Sequence, residues 1–383
     1  MTLCRNRRTF RQILDGVLRG SVLEPEDVAA LFRIREGSQV EALFKTARAV
    51  RERHFGNRLF LYGFVYISTF CRNDCSFCYY RRSNNLPVRY RKTPEEIIEI
   101  SCRLAHSGVH LIDLTMGEDP DLYCHGPRGF AELAELVARV RSTTGLPVMV
   151  SPGAVPDEVL KTLVEAGATW YACYQETHNP ALFRKLRIGQ SFRERMRKKT
   201  IARSHGLLIE EGVLCGVGET EADLHLSIET MRAIDADQVR AMTLVPQNGT
   251  PLGRCASITC QRELMTIAIM RLVFPNRLIP ASLDVNGLAG LRERLLAGAN
   301  VVSSIVPPGK GLAGVARSTL DIDTARRTCE SVQQVLSDLG LQAASMAEYL
   351  AWLKERQQEV ARGLLQDSVV HLDQEQGMAV RFV

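Results

Sequence analysis

From Leu59 onward, short runs of apolar, β-branched and aromatic residues alternate with longer stretches in which apolar side chains recur every three or four positions. There are eight such runs: Leu59 to Ile67, Leu111 to Met116 ("LIDLTM"), Pro147 to Ser151, Ala168 to Cys173, Leu207 to Leu214 ("LLIEEGVL"), Gln238 to Leu244 ("QVRAMTL"), Leu278 to Ser282 and Asn300 to Val306. Short, nearly continuous apolar runs mark strands buried on both faces. The stretches between them predict helices near Phe130 to Arg141, Val155 to Glu165, Phe192 to His205, Ala222 to Ile234, Arg262 to Val273, Leu288 to Leu296 and Thr324 to Leu339. One more carries its own start signal. In "TPEEIIEISCRLA", Thr93 stands as N-cap, Pro94 as first helical residue and Glu96 as capping-box partner, with Ile97, Ile100 and Leu104 along one face.

Eight strands alternating with eight helices argue for parallel βαβ units. Within the α/β class that count fits a closed (β/α)8, TIM-type barrel over residues 56–340 better than a doubly wound open sheet. Residues 1–55, with "TFRQILDGVLRG" and "EALFKTARAVRERHF", read as an N-terminal helical cap packing on the barrel. Residues 341–383 read as a helical tail, to which no function is assigned.

Composition narrows the class only slightly. Apolar residues make up 45% and charged residues 24% of 383, the values of an ordinary globular protein. A net charge of +5 is too small and scattered to indicate nucleic acid. The one basic run, "RMRKKTIARSH" from Arg195 to His205, reads as the solvated face of a helix. Arg5, Arg7 and Arg8 are not followed by the apolar stretch of a secretory signal, and no run reaches the 18 apolar residues of a membrane span, so a cytoplasmic protein is expected. Eleven cysteines in a reducing compartment are not a disulfide framework. Cys4, Cys102, Cys124, Cys173, Cys215, Cys255, Cys260 and Cys329 are isolated and read as small apolar residues. "PPGKG" at Pro307 to Gly311 lacks the residues of a phosphate loop at Ser304 and Gly311.

Three cysteines are different. Cys71, Cys75 and Cys78 fall within eight residues, "CRNDCSFC", in a polar segment just after the first strand. That is the C-terminal face of a barrel, where active sites lie. Structural zinc normally takes four ligands, and no obvious fourth is near; three unconnected core cysteines are a second alternative, against which the polar, turn-like loop counts. Thiolates also hold [4Fe-4S] clusters, usually four of them, so three leave one iron open to a cofactor.

The C-x3-C-x2-C spacing, with aromatic Phe77 before the last cysteine, resembles the radical S-adenosylmethionine enzymes. The resemblance implies one [4Fe-4S] cluster on Cys71, Cys75 and Cys78, with S-adenosylmethionine on its open iron and an electron from an external one-electron donor. It also implies cofactor-binding roles for residues at other strand ends. Gly117 and Glu118 of "TMGEDP" would approach the methionine amino group, with Ser151 facing the same mouth. "YQETHNP" resembles the hydrogenase-maturase branch, related to biotin synthase, in which Glu176 and Arg195 would bind the amino-acid and ribose portions. The glycines of "GVLCGVG" stand where that superfamily sets backbone against adenine.

Charges inside strands bear on the substrate. Asp113 interrupts the second strand, Arg240 the sixth, and Ser282 and Asp284 follow the seventh at i, i+2, pointing the same way. Such charges are costly unless paired or bound to a ligand. Asp113 and Arg240 could simply pair with each other. The alternative is a pocket with one cation for a carboxylate and two carboxylates for ammonium groups, suited to a small diamino acid. "CSFCYY", "YQETHNPALFRKLRIGQSF" and "LIPASLDVNGLAGLRERLLAGANVVSSIVPP" further resemble the methylornithine synthases of pyrrolysine biosynthesis, over about residues 45–340. This implies an isomerase acting on L-lysine: hydrogen abstraction, fragmentation and recombination to 3-methylornithine. Arg240 and Ser282 would hold the carboxylate, Asp113 and Asp284 the ammonium groups. The alternatives are a maturase-like lyase on another small amino acid, an RNA-modifying relative using the basic run, and a non-catalytic iron-sulfur module.

Overall fold

The computed structural model describes residues 8–256, 259–307 and 326–372, so the "PPGKG" stretch beyond Pro307 lies outside the described residues. Helices α1 (Phe10–Leu18), α2 (Pro25–Phe32) and α3 (Gly37–Phe55) precede β1 (Arg58–Ser68). Then come α4 (Pro94–His106), β2 (Leu111–Met116), α5 (Pro120–Cys124), α6 (Ala131–Thr144), β3 (Val148–Ser151), α7 (Asp157–Glu165) and β4 (Ala168–Ala172). The second half runs α8 (Pro180–Leu186), α9 (Phe192–Ser204), β5 (Leu208–Cys215), α10 (Glu221–Ala233), β6 (Gln238–Thr243), α11 (Gln261–Val273), β7 (Pro280–Ser282), α12 (Gly287–Leu296) and β8 (Val301–Ile305). A helix at Cys329–Asp338, a short strand at Gln342–Ala343 and a terminal helix at Met346–Leu372 follow.

The eight predicted runs became eight strands, in the order β6-β5-β4-β3-β2-β1-β8-β7, each paired in parallel. A parallel bridge from Gln238 to Leu278 joins β6 to β7, so the sheet closes into a barrel. Helix α4 starts as its sequence dictates: Thr93 Oγ1 accepts the Glu96 N–H, and the Glu96 carboxylate accepts the Thr93 N–H at 2.7 Å. It packs hard on β1. A Cβ added at Gly63 would lie 3.0 Å from Leu104 and 3.1 Å from Val109, so this position keeps strand and helix close.

Period-two alternation sorts each strand into two faces. Ile112, Leu114, Val148, Val150, Ile209 and Val239 pack outward under the helices. Phe60, Tyr62, Leu111, Met149, Trp170, Leu208 and Val301 fill the lower interior as an apolar layer. One step up come Asp113, Ser151, Glu210 and Ser303 on these strands and Arg240 on β6, so the interior turns polar toward the strands' C-terminal ends. Layers of this kind are how such barrels fill their centre.

The floor of the barrel is sealed by the terminal helix. Tyr349, Leu353 and Val360 join the apolar layer, the Tyr349 and Tyr62 hydroxyls are 3.1 Å apart, and Trp352 stacks on Trp170 with centroids 6.0 Å apart. Arg356 forms ion pairs with Asp235 and Asp237 beside β6. Closure at that end therefore comes from the tail. The N-terminal helices, expected to cap the barrel, lie along its outer flank against α10, α11 and α12. There Arg51 donates to the Leu295 carbonyl at 2.6 Å.

The basic run departs from expectation. Arg195, Lys198 and Lys199 are buried, because with Ala202 they form the i, i+3, i+4, i+7 stripe that α9 turns inward. Lys199 meets buried Glu211 at 2.6 Å behind β5. Among the described residues, no helix is long and apolar enough to cross a membrane. If the terminal helix is a structural plug, Tyr349→Ala leaves a cavity under the barrel. We expect a loss of about 3 kcal/mol of stability, read as an earlier urea midpoint of the apoprotein.

Candidate active site

The cysteine loop leaves the barrel mouth at the end of β1 and is held by its own polar residues. Arg89 spreads its guanidinium over four carbonyls, those of Thr69 (2.5 Å), Tyr80 (2.9 Å), Arg81 (2.8 Å) and Asn84 (3.0 Å). Asp74 accepts from Arg81 Nε at 2.6 Å, and the Ser76 N–H donates to the Leu186 carbonyl at 2.8 Å, tying the loop to α8. Gly117, just past β2, packs against Cys71: a Cβ there would lie 2.7 Å from the Phe70 carbonyl and 2.8 Å from Cys71 Cβ. Any other residue would push the cysteine away.

Burial, with repulsion from the neighbouring cysteines, raises the thiol pKa values of Cys71 and Cys78. Cys71 and Cys78 would therefore give up protons on binding metal. Among the described residues no three Cys, His, Asp or Glu side chains converge closely enough for a single ion. A cluster differs, since each thiolate holds a different iron. The donor set thus fits a cluster better than zinc.

Around this loop runs a chain of charged contacts. Glu118 accepts from Arg72 Nε at 3.0 Å and from Arg195 Nη1 at 3.2 Å. Arg195 also donates to Gln190 Oε1 at 3.3 Å and to the Tyr174 carbonyl at 2.8 Å. Glu176 pairs with Arg187 at 2.6 Å. The Glu176 and Arg195 expected to act together are thus joined to different partners, although Arg195 is close enough to influence Glu176 electrostatically. Burial raises the Glu176 pKa against the pull of both arginines. Its backbone is strained: φ is 67°, a left-handed conformation fixed by ladder bonds to Gly212 and Leu214 at 3.0 Å each.

Deeper in the mouth lies a cavity lined by Asp113, Glu176, Arg240 and Asp284, with Thr115, Tyr174 and Ser304 adding hydroxyls. Phe64, Phe77, Leu214 and Met242 supply apolar wall. Arg240 Nε donates to Glu210 at 2.7 Å and Nη1 to Ser303 Oγ at 3.1 Å; Tyr174 donates to the other Glu210 oxygen at 2.8 Å. Arg240 therefore pairs with Glu210, and no hydrogen bond joins it to Asp113. Asp284 accepts from Arg327 at 2.9 Å and from Ser304 at 2.7 Å. Ser304 has φ 68°, which lets adjacent Ser303 and Ser304 both reach inward, to Arg240 and Asp284 respectively. Ser282 does not line the cavity; its hydroxyl supports Asp284 at 3.3 Å.

Asp113 is the exception among these acids. Its Oδ1 is buried with no hydrogen-bond partner among the described residues, and Ser151, expected on the cofactor side, lies near enough to this carboxyl to lower its pKa slightly. Burial first, then the charge of Glu210, raises its pKa to about 8 despite Arg240. Four residues escaped sequence reading. Glu210 was visible only as half of a Glu-Glu pair in a strand, whereas Arg187, Gln190 and Arg327 lie in irregular segments without periodicity.

A family model of the radical SAM superfamily matches residues 65–231. The 3-methylornithine synthase of Methanosarcina barkeri is 43% identical over 344 residues, 90% of this chain and 97% of that protein. The [FeFe] hydrogenase maturase subunit HydE of Thermotoga maritima is 31% identical, covering 77% of this chain and 83% of its own. The crystal structure of methylornithine synthase (PylB) matches with a TM-score of 0.84 at 43% identity, over 89% of this chain and 99% of that one. The barrel and its cysteine loop are those of a radical SAM enzyme, which works with a [4Fe-4S] cluster and S-adenosylmethionine. Within that class, this chain belongs to the 3-methylornithine synthase family. Gly117→Ala is expected to fold but to lose most of its cluster on anaerobic reconstitution, measured as iron and sulfide bound per chain.

Proposed function

We propose that this protein isomerises L-lysine to 3-methylornithine, with the barrel mouth as its active site. The reading is carried by one observation: of the acids lining the cavity, Glu176 and Asp284 have arginine partners, and Asp113 alone has a buried oxygen left without a hydrogen bond among the described residues. An unpaired carboxylate at that depth is costly, and a substrate ammonium group removes the cost. Arg240 faces the same cavity. Glu210 and Ser303 engage two of its five N–H groups and fix the plane of the fork, leaving donors for a carboxylate. Asp284, with one oxygen held by Arg327, stands to receive the second ammonium group.

On the cofactor side, Cys71, Cys75 and Cys78 hold the cluster, while Gly117, Glu118, Glu176 and Arg195 form the cradle for the amino acid and ribose of S-adenosylmethionine. When bound, these cofactors supply a 5'-deoxyadenosyl radical able to take hydrogen from an unactivated carbon. The chain's part is to orient and to exclude water. Phe77 lines the cavity on one side and immediately precedes Cys78 on the other, so the two half-sites share a wall. The terminal helix seals the floor, which suits a reaction whose fragments must not escape. An external one-electron donor and a cytoplasmic location complete the reading.

The test is anaerobic incubation of the reconstituted enzyme with S-adenosylmethionine, reductant and L-lysine, followed by mass spectrometry for an isomer of lysine. Cleavage of S-adenosylmethionine with lysine untouched would overturn the lysine reading and favour a maturase-like lyase. Asp113→Asn should cut kcat/KM for lysine by roughly 100-fold, the worth of a buried hydrogen bond to a charged group, while leaving cluster content unchanged. A pH dependence follows as well. Below a pH of about 8 the free Asp113 carboxyl is largely protonated and must lose its proton to hold an ammonium ion. Tyr174, Glu210, Arg240 and Asp284 face it from β4, β5, β6 and β7 or their ends, and Glu210 and, less, Asp284 add to the effect. Lysine affinity measured by calorimetry should therefore rise with pH and level off near 8, with proton release on binding. In Asp113→Asn that rise should be absent.

A further inference from the structure

Backbone N–H groups meet the sulfur of Cys71, as Asn73 does at 3.4 Å, whereas the sulfur of Cys75 is met by side-chain donors. Gln190 Nε2 lies 3.0 Å from Cys75 Sγ, and Arg187 Nη1 lies 3.8 Å from it. Both donors come from one tight turn between α8 and α9, closed by the Gln190 N–H bonding to the Arg187 carbonyl at 3.1 Å. The orientation of the amide is fixed by its other end. Gln190 Oε1 accepts from Arg195 at 3.3 Å, and since that arginine can only donate, the NH2 end must face the sulfur. Arg187 is likewise held, by Glu176 at 2.6 Å and over the ring of Phe77 at 5.6 Å.

We infer that Gln190, assisted by Arg187, is a positioning residue that sets the reduction potential of the cluster through an N–H···S bond to Cys75. Reduction adds one electron, and so one negative charge, to the iron-sulfur-thiolate unit. A donor aimed at a ligating sulfur stabilises that added charge and raises the potential. Gln190 is neutral, so its effect is separable from the general field of nearby arginines. The inference depends on the cluster held by this family and not on the identity of the substrate.

The experiment uses reconstituted holoenzyme without lysine or S-adenosylmethionine, poised anaerobically against redox mediators, with the reduced cluster read by electron paramagnetic resonance. Gln190→Leu removes the donor without changing charge. We expect about tenfold less reduced cluster at a fixed potential, a downward shift of about 59 mV for one electron. Gln190→Glu, which also adds a negative charge, should shift the potential further the same way. Unchanged midpoints in both variants at full iron and sulfide content overturn the inference. The unmutated enzyme gives a second reading that needs no variant. Pulsed resonance of its reduced cluster should show a strongly coupled proton that is lost on transfer to D2O. Its absence overturns the inference even where a variant fails to take up the cluster.

Discussion

Buried carboxylates have little water to solvate them, and pairing them is the constraint that organises this barrel and its mouth. Glu210 is met by Arg240, Asp284 by Arg327, Glu176 by Arg187, Glu118 by Arg195 and Glu211 by Lys199, all at 2.6 to 3.2 Å. Such pairs add little net stability, because desolvation offsets the attraction. Removing one partner is another matter, costing about 3 to 5 kcal/mol. The pairs therefore lock one another in place, and Asp113 is left with a buried oxygen that has no hydrogen-bond partner among the described residues.

The same pairs join two half-sites into one structure. Arg187 touches Glu176, stands over Phe77 and approaches Cys75; Arg195 reaches Glu118 and Gln190; Tyr174 lends its carbonyl to Arg195 and its hydroxyl to Glu210. From the cysteine loop to the floor of the substrate cavity there is a continuous set of hydrogen bonds. A change at one end is felt at the other, so mutational effects here should not add.

Most of the barrel was legible in the sequence because burial on both faces writes strands as apolar runs, and the chain has eight of them. The capping box of α4 was equally plain. Asp113 and Arg240 stood out because a charge inside such a run needs a reason. Glu210 offered the same signal in "LIEEGVL", but a Glu-Glu pair does not say which residue faces inward; the structure sends Glu210 to Arg240 and Glu211 to Lys199. The basic run misled for a related reason. Charge suggests solvent, yet Arg195, Lys198, Lys199 and Ala202 already had the spacing of an inward stripe. Arg187, Gln190 and Arg327 were beyond reach, since their positions depend on turns and on contacts distant in sequence.

The tail shows why a segment with no motif can still bear on function. Tyr349 meets Tyr62, and Tyr62 sits directly beneath the polar layer, near enough for Glu210 and Arg240 to act on its hydroxyl. Tyr62 therefore stands between the polar layer and the terminal helix. Were that helix to loosen, water would reach Glu210 and Arg240 from below, and the pair that orients the Arg240 fork would weaken as the dielectric rose. A plug at the N-terminal ends of the strands thus protects the geometry at the opposite face, by keeping the space between them dry.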